Sequence, residues 1–554
     1  MKRNGSDIMM EVLLEQGVHR IFGYPGGAVL NIYDALYKYS AKIQHVITAH
    51  EQGAAHAADG YARLTGKIGV VLATSGPGAT NLVTGIATAY MDSVPLVAIT
   101  GNVGTGLIGR DSFQEVYITG ITLPITKHNF VVRHVEELAD VLRAAFAIAQ
   151  EGRKGPVLVD IPKDVSAAVC EFTPAPEAAR TARPRSLDEA ALGAAADLLN
   201  AAERPVLYFG GGVSSAGAGE ALRALARKCD APATHTLMAA GVLGAGEERN
   251  LGLIGMHGCA TANRAVHEAD VLLMAGTRLS DRVALSPGKF AAGAKRIHID
   301  IDPAEIGKNV TADLTLVGDV KDVLEALLPR LEEKEHAVWR ETLRDWRKND
   351  YHPKDDSSVL RPHQVMAAIS ALAGPEAVYV TDVGQHQLWA AQYVDHVRPR
   401  SFLTSGGLGT MGYGYGAAIG AKMAAGSRPV VHITGDGSFH MNMNEACTAV
   451  SYRVPVITII MNNQVLGMVR QWQTVFYDRR YSATDPQRKT DFVRLAEGFG
   501  LRCTRCETLP QFEQAFRAAL GADGPVWIEC RIGKDEKVLP MIPAGGTIAD
   551  MMMD

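Results

Sequence analysis

Two short polar segments in the last third of the chain each follow a hydrophobic run. Asp436 lies in Gly435-Asp436-Gly437-Ser438 after residues 430–434, and Asn463 follows residues 456–461. About 27 residues separate Asp436 from Asn463, which leaves room for one helix between two strands. Because neighbouring parallel strands end at the same edge of a sheet, the carboxylate and the amide are expected to lie close together. Such oxygens suit a hard cation like Mg²⁺, which can bind a diphosphate.

The residues around this pair fit a metal–diphosphate site. Gly437 lets the backbone approach a ligand closely, and the helix predicted to follow presents its first amides, including that of Ser438, to phosphate. Val465 has no side-chain ligand, so its backbone carbonyl is the third predicted protein ligand of the metal. The alternative is two ordinary turns of an α/β domain, which a single Gly-Asp-Gly would favour. The full spacing, together with Glu51 elsewhere in the chain, favours the metal site.

Glu51 opens a predicted helix over residues 52–64, directly after a predicted strand. Glycine and alanine crowd the start of this helix, so another backbone can approach it closely. In a generic protein, a glutamate in a first helical turn is simply a favourable partner of the helix dipole.

The bulk composition describes an ordinary globular protein. The 554 residues are 47% hydrophobic and 21% charged, and exceed what one core can hold. The formal net charge of -5 predicts no nucleic acid partner and no anionic membrane surface. The apolar runs are too short to span a bilayer, no signal segment is expected, and seven scattered cysteines fit a reducing cytoplasm. Cys503 and Cys506 form a lone CxxC, which we interpret as part of a buried strand rather than a zinc site.

Short β-branched runs alternate with helix-length stretches, which is typical of parallel α/β folding. We predict an α/β fold with three parallel-sheet domains at residues 1–168, 187–345 and 360–535, and a tail at 536–554. An exposed linker is expected around residues 172–184, and the Pro- and Gly-rich tail is expected to lie over the surface as a candidate lid. Strands are predicted at residues 44–48, 69–73, 95–100, 157–160, 206–209, 271–275, 296–301, 377–382, 430–434, 456–461 and 526–530.

Longer motifs over nearly the whole chain resemble those of one family, the large catalytic subunits of acetohydroxyacid synthase (acetolactate synthase). They are Phe22-Gly23-Tyr24-Pro25-Gly26-Gly27, Thr74-Ser75-Gly76-Pro77-Gly78-Ala79-Thr80-Asn81, Gly109-Arg110-Asp111-Ser112-Phe113-Gln114-Glu115, Thr126-Lys127-His128-Asn129, Gly255-Met256-His257-Gly258, Val383-Gly384-Gln385-His386-Gln387, Gly407-Leu408-Gly409-Thr410-Met411-Gly412 and Met468-Val469-Arg470-Gln471-Trp472-Gln473. The resemblance implies three domains that bind thiamine diphosphate (ThDP) and Mg²⁺ at an active site shared between two copies of the chain.

The resemblance also implies a role for individual residues. Glu51 of one copy would bond to the aminopyrimidine of ThDP and promote loss of its thiazolium C2 proton, with Gln114 and Lys127 on the substrate side. Met411 would hold ThDP bent, and Gly409 would contact the aminopyrimidine. The other predicted contacts of the cofactor are Tyr24, Pro25, Gly26, Gly384, Gln385, His386, Gly437 and Ser438. Phe113, Met468 and Trp472 would line the substrate pocket, where Trp472 favours 2-oxobutyrate as the acceptor.

The middle domain is predicted to bind a nucleotide. Gly210, Gly211 and Gly212 follow a predicted strand, although such turns are common and weak evidence alone. The run from Gly276 through Arg278 to Arg282 resembles the flavin-contacting segment of the family, and implies FAD in a structural role. Asp300 and Asp319 are the predicted ribose-side and adenine-side contacts. Some relatives hold ADP in this domain, so ADP remains the alternative nucleotide.

The resemblance implies an enzyme that decarboxylates pyruvate and joins it to a second 2-oxo acid. Pyruvate as acceptor gives 2-acetolactate, and 2-oxobutyrate gives 2-aceto-2-hydroxybutyrate, in branched-chain amino acid biosynthesis. The alternatives are a flavin-dependent pyruvate oxidase, another ThDP-dependent 2-oxo acid carboligase or decarboxylase, and a non-enzymatic nucleotide-binding scaffold. The motifs around Phe113 and Trp472 favour the synthase. The sequence does not decide between homodimer and tetramer, or whether a small regulatory subunit binds.

Overall fold

The structure, a computed structural model, describes residues 1–176, 186–355 and 359–554. Three six-stranded sheets, each fully parallel, organise these residues into three α/β domains. This confirms the predicted fold class. Strand Val169–Glu171 pairs antiparallel with Lys2–Asn4, so the first domain continues slightly past residue 168.

The first sheet carries apolar side chains on both faces, as expected for a parallel sheet covered by helices. Its strands, in spatial order, are Gln44–Ile47, Arg20–Gly23, Gly69–Ala73, Leu96–Asn102, Pro156–Pro162 and His128–Val131. The helices are Gly5–Glu15, Leu30–Lys38, Glu51–Thr65, Pro77–Thr80, Val83–Met91, Ile118–Thr122, Leu138–Gln150 and Lys163–Ala167. All four strands predicted here are present. Two strands were not predicted because they are short and partly polar, namely Arg20–Gly23 and His128–Val131.

The central domain repeats this design. Its sheet is formed, in spatial order, by Asn250–Leu253, Ala233–His235, Pro205–Phe209, Val271–Ala275, Lys295–Asp300 and Leu314–Val317. The covering helices are Glu189–Ala201, Gly211–Ala216, Gly219–Lys228, Ala260–Glu268, Val320–Leu327 and Ala337–Arg347. The glycine turn after Pro205–Phe209 and the Gly276 turn after Val271–Ala275 follow adjacent strands. They therefore meet at one edge of this sheet.

The third domain contains the predicted metal segments. Its sheet is formed, in spatial order, by Phe402–Leu403, Val378–Thr381, Val430–Gly435, Val456–Asn462, Val526–Arg531 and Arg502–Cys506. Its helices are Pro362–Ala373, Gln385–Tyr393, Tyr413–Ala425, Asp436–Asn442, Ala446–Ser451, Gly467–Phe476, Phe492–Phe499 and Leu509–Leu520. The CxxC lies in the edge strand Arg502–Cys506, which confirms that it belongs to a strand, but the prediction that this strand is buried is wrong, because Cys506 is its only buried residue.

Two helices join the first and third domains by backbone contact. Helix Glu51–Thr65 packs against helix Tyr413–Ala425 through glycines. A Cβ atom on Gly420 would lie 1.8 Å from the carbonyl oxygen of Ala57, and one on Gly60 would lie 2.1 Å from that of Ala417. Only glycine fits at such distances. The helix that begins at Glu51 is therefore fixed against the third domain of its own chain.

The tail agrees only in part with the expectation that it lies over the surface, because residues 543–554 are half-buried or exposed but residues 538–542 are buried. Met541 and Ile542 are buried, and the backbone N–H of Ile542 donates to the carbonyl of Met256 (2.8 Å). Met541 also forms an isolated antiparallel bridge with Met552. Their apolar side chains explain the burial, because Met541 packs in one cluster with Met256 and Trp472. Residues 177–184 of the predicted linker lie outside the described residues, and Phe172 at its start is buried in the first-domain core rather than exposed.

Within the described ranges, no helix combines the length and the apolar character that crossing a membrane requires.

Candidate active site

The predicted metal ligands meet at the carboxyl edge of the third sheet. Gly435 pairs with Met461 across two neighbouring parallel strands, so Asp436 and Asn463 follow adjacent strand ends. The backbone N–H of Asn463 donates to the Asp436 carboxylate, and the backbone N–H of Val465 donates to Asn463 Oδ1 (3.2 Å). Burial raises the pKa of Asp436 to about 6, although the backbone N–H groups that donate to its carboxylate lower the pKa. A cation at this edge would stabilise the ionised carboxylate.

The described chain holds no group of three or more His, Cys, Asp or Glu side chains arranged for a metal. A cation beside Asp436 would therefore take its remaining ligands from amide, carbonyl, phosphate and water oxygens. Mg²⁺ is commonly bound in this way, by one or two carboxylates together with the phosphates of a bound molecule.

His386 indicates that this edge is built for a polar ligand. Its side chain is buried, and its Nε2 has no hydrogen-bond partner. Burial lowers the pKa of His386 to about 4, so the imidazole is neutral at physiological pH. Buried polar atoms are rarely left unpaired in proteins. A phosphate oxygen of a diphosphate would satisfy this nitrogen, so the residues present fit the group that the sequence predicts.

Gln385 connects the metal loop to the predicted substrate helix. Its Oε1 accepts from Asn463 Nδ2 (3.3 Å), and its Nε2 donates to Gln471 Oε1 (3.0 Å). Gln471 lies in helix Gly467–Phe476, which also carries Met468 and Trp472. The structure therefore brings these predicted diphosphate and substrate residues to one edge of the third domain.

The loop with Gly409 and Met411 is held against the metal segment. The backbone N–H of Gly412 donates to Ser438 Oγ (3.0 Å), and its carbonyl accepts from Asn442 Nδ2 (2.6 Å). Gly409 and Gly412 both have positive φ, at 71° and 83°, which favours glycine at these turns. The loop predicted to contact the rings of ThDP is therefore hydrogen-bonded to the segment predicted to bind its diphosphate.

Glu51 lies at the carboxyl edge of the first sheet. Its Oε2 accepts from Asn81 Nδ2 (2.9 Å), and a Cβ atom on Gly78 would lie 3.3 Å from its Oε1. Tyr24, Pro25 and Gly26 follow the adjacent strand Arg20–Gly23. Asn81 was not predicted as a site residue, although it belongs to a motif that carries the family resemblance.

The predicted substrate-side residues of the first domain lie in different settings. Gln114 has a positive φ of 58° and its backbone packs on Gly76, whereas the neighbouring Phe113 side chain is 87% exposed. The ammonium of Lys127 donates to the main-chain carbonyls of Ile148 and Glu151, and burial lowers the pKa of Lys127. Within one chain, the Lys127 ammonium is therefore hydrogen-bonded to main-chain groups of its own domain.

A cavity of about 2070 Å³ connects the central domain to the third. Among its described lining residues are Gly384, Gly409, Met468 and Trp472 of the third domain. All eight predicted nucleotide residues also line it, namely Gly210, Gly211, Gly212, Gly276, Arg278, Arg282, Asp300 and Asp319. A dinucleotide cofactor and a small substrate both fit within this volume.

Several of the nucleotide residues also have structural partners. A Cβ atom on Gly212 would lie 2.6 Å from the Cα of Gly276, so these two glycines are required by the contact between their own turns. Asp319 caps helix Val320–Leu327 by accepting from the backbone N–H of Lys321 (2.8 Å). Burial raises the pKa of Asp300 to about 6. Hydroxyl donors of a ligand would therefore stabilise the ionised form of Asp300.

Arg282 and Trp472 mark where the nucleotide cavity meets the substrate side. The guanidinium of Arg282 lies 6.0 Å from the centre of the Trp472 ring, and its NH1 lies 3.9 Å from Met256 Sδ. The indole Nε1 of Trp472 is buried without a hydrogen-bond partner. The tail residue Met541 packs in the same apolar cluster.

A buried charge network joins the first domain to the loop that leads to Gly409. Arg63 bonds to the carboxylates of Asp59 (2.5 Å) and Asp92 (2.9 Å). Asp92 in turn accepts from the backbone N–H groups of Gly406 (3.0 Å) and Gly407 (2.7 Å). Asp92 was not predicted as a site residue, although it is a single charged residue between two apolar stretches of the sequence.

The chain matches three domain profiles of one enzyme family. Residues 3–121 match the thiamine pyrophosphate enzyme N-terminal TPP binding domain, 192–327 the central domain, and 382–530 the C-terminal TPP binding domain. It is 49% identical to the acetolactate synthase large subunit of Mycobacterium tuberculosis, over 98% of this chain and 90% of that one. It is 44% identical to the acetolactate synthase isozyme 1 large subunit of Escherichia coli, over 99% of this chain and 97% of the relative. A probable acetolactate synthase large subunit of Methanocaldococcus jannaschii is also 44% identical.

Proposed function

Since this chain belongs to the acetolactate synthase large-subunit family of thiamine diphosphate enzymes, we propose that it condenses pyruvate with a second 2-oxo acid and releases CO₂. Pyruvate as the acceptor gives 2-acetolactate, and 2-oxobutyrate gives 2-aceto-2-hydroxybutyrate. The observation that carries the proposal is the unpaired, buried His386 Nε2 beside the Asp436–Asn463 edge. Such an edge suits the diphosphate and the cation that the family's chemistry requires.

ThDP and Mg²⁺ would be held by the third domain. Asp436, Asn463 and the carbonyl of Val465 are placed to bind the cation, and His386 and the amides after Gly435 to bind the diphosphate. When bound, ThDP supplies the electron sink for decarboxylation and carbon–carbon bond formation. The fixed loop around Gly409 and Met411 would orient its rings.

We place Glu51 at the aminopyrimidine of the cofactor bound by a second copy of the chain. Glu51 lies with Asn81 on the first domain, and it is absent from the described residues that line the central cavity next to Gly384 and Gly409. The segment beside it exposes large apolar side chains, with Phe113 at 87% and Tyr117 at 78%. Exposed apolar surface of this kind favours a protein interface. A homodimer would cover these side chains and complete two active sites.

In such a site the chain's own groups have separate tasks. The Glu51 carboxyl would exchange a proton with the aminopyrimidine. Gln114 would face the carboxylate of the 2-oxo acid, and Lys127 would join it there only by leaving the main-chain carbonyls of Ile148 and Glu151. The half-buried Trp472 would shape the acceptor pocket, and the tail around Met541 would help to exclude water from it.

FAD is our proposal for the central cavity, in a structural role. Arg278 supports it, because it lines the cavity and donates to the Met91 carbonyl of the first domain (2.7 Å), so a ligand held there would reinforce a domain contact.

The seven cysteines are all unpaired, which supports our proposal that the protein is located in the reducing cytoplasm. The words "large subunit" in the names of the relatives support a smaller partner chain.

Product analysis tests the function. Purified protein is given pyruvate, ThDP, Mg²⁺ and FAD, without an electron acceptor. We expect acetolactate as the main product, and loss of turnover with retained ThDP binding in Glu51→Gln. Acetaldehyde as the main product, or bleached flavin without a new carbon–carbon bond, would overturn the proposal in favour of a decarboxylase or an oxidase.

A further inference from the structure

Glu445 of the third domain contacts the turn that precedes Glu51. Its carboxylate accepts from the backbone N–H groups of Ala49 (3.2 Å) and His50 (3.1 Å), and from Thr448 Oγ1 (2.6 Å). Ala49 and His50 lead directly into helix Glu51–Thr65. A carboxylate near such a start also interacts favourably with the helix dipole. One side chain of the third domain therefore holds the entry to the helix that begins with Glu51.

Burial of the Glu445 carboxylate costs free energy, because a charged group loses its hydration. The Glu445 side chain has no solvent exposure, and no basic side chain forms an ion pair with it among the residues that the structure describes. Its hydrogen bonds offset part of the desolvation cost. The cost is unexplained by packing alone, because an apolar side chain would fill the same space without it.

Glu445 also belongs to the segment that carries the metal ligand. Helix Asp436–Asn442 continues directly into the 3₁₀ turn Met443–Glu445. Asp436 at one end of this segment faces the cation site, and Glu445 at the other end faces the turn before Glu51. The side chain of Asn442 between them is bonded to Gly412, so the segment is fixed along its length.

We propose that Glu445 is a positioning residue for Glu51, so that the third domain of each chain helps to organise two active sites. It binds the cation of its own site through Asp436, and it fixes the Glu51 that serves the site of the second copy. The inference rests on the proposed function, in which Glu51 acts on ThDP across the interface. The inference concerns how the Glu51 carboxyl group is positioned, and not whether Glu51 acts on ThDP.

The first test needs no cofactor. Hydrogen–deuterium exchange of the peptide over residues 44–55 is compared between wild type, Glu445→Gln and Gly53→Ala. The second substitution displaces the same carboxylate from the other side, because a Cβ atom on Gly53 would lie 2.0 Å from Glu445 Oε1. We expect the Ala49 and His50 amides to exchange about tenfold faster in both variants, the loss typical of one hydrogen bond to a charged group.

The second test measures exchange of the thiazolium C2 proton of bound ThDP, alongside ThDP affinity. Both variants are expected to slow this exchange by about tenfold while ThDP affinity stays within about twofold, because only the approach of Glu51 changes. Glu15→Gln is the control for loss of a buried carboxylate that accepts from a backbone N–H, that of Ala175 (2.7 Å), far from the site, although Glu15 unlike Glu445 is also paired with Arg143 (2.9 Å). It should leave C2 exchange unchanged.

The outcomes separate the two proposals. If Glu51→Gln exchanges the C2 proton at the wild-type rate, the proposed function itself is wrong. If Glu51→Gln loses exchange but folded Glu445→Gln and Gly53→Ala keep it, the positioning role is overturned, even if their amides are less protected. If Glu445→Gln does not fold, Gly53→Ala decides alone, because the three atoms nearest to its added Cβ all belong to the Glu445 side chain.

Discussion

Replacing Asp436 by asparagine separates the cost of burying this charge from the use that a cation makes of it. The side chain is 6% exposed, and burial raises its pKa from 3.8 to about 6. At neutral pH the metal-free protein therefore keeps an ionised carboxylate in a site that disfavours it. Asparagine has nearly the same shape and no charge, so the Asp436→Asn protein should be more stable than wild type when no cation is present.

The size of the effect follows from the pKa difference between the folded and unfolded states. Roughly two pKa units correspond to about 3 kcal/mol of unfolding free energy, as an upper bound. The folded pKa is raised, so the penalty is fully present above about pH 6 and disappears as the pH falls towards 3.8. Mg²⁺ with ThDP should reverse the order, because the cation stabilises only the carboxylate.

Urea unfolding of EDTA-treated protein, followed by tryptophan fluorescence, measures this difference. Trp527 is fully buried in the third domain and reports on it. Asp523→Asn is the matched control, because Asp523 is an exposed carboxylate of the same domain. The reasoning is refuted if metal-free Asp436→Asn is no more stable than wild type at pH 7.5, or if the gap persists at pH 4.

Four further predictions address other parts of the fold. Gly420→Ala should destabilise the protein by about 1–3 kcal/mol through overpacking, since its Cβ would lie 1.8 Å from the carbonyl oxygen of Ala57. Gly193→Ala, in a helix with nothing within 4 Å of the added Cβ, should stabilise it by up to about 1 kcal/mol. Trp472→Leu should reduce the preference for 2-oxobutyrate over pyruvate by about tenfold, the scale of discrimination that one methylene provides in an apolar pocket. Deleting residues 540–554 should raise the ratio of acetaldehyde to acetolactate, because Met541 no longer covers the Trp472 cluster.

Thermal unfolding of the two glycine variants, competition between the two acceptors, and product ratios provide the measurements. Equal melting temperatures for Gly420→Ala and Gly193→Ala would contradict the proposed backbone contact. An unchanged acceptor ratio in Trp472→Leu would remove this side chain from the acceptor pocket. An unchanged product ratio after truncation would show that the tail does not exclude water.

The elements that hold the site were predictable because parallel strands carry a strong local signal. The runs before Asp436 and Asn463 are buried and rich in β-branched residues, and a parallel sheet places their ends together whatever the side chains beyond them. Short edge strands such as His128–Val131 carry no such signal. Their pairing depends on neighbours that are distant in the sequence.

The residues that connect domains were not predictable from local patterns. Asp92 and Glu445 make their contacts across more than 300 residues of sequence, and nothing near them indicates a partner. Met541 and Ile542 belong to a segment whose Pro and Gly predict a surface loop, yet these two apolar side chains are buried, whereas residues 543–554 are half-buried or exposed. The family motifs identified which residues matter, whereas the contacts that position those residues required the structure.

The glycine contact between helices Glu51–Thr65 and Tyr413–Ala425 has a consequence for how the cofactor enters. Main-chain atoms that touch directly have no rotamers to adjust, so the first and third domains of one chain can separate only by breaking this contact as a whole. In the proposed dimer, separation of the two copies would then be a route by which ThDP enters. If the cofactor is loaded by this route, holoenzyme formation is coupled to assembly, and dilution of the subunits should release the cofactor together with the partner chain.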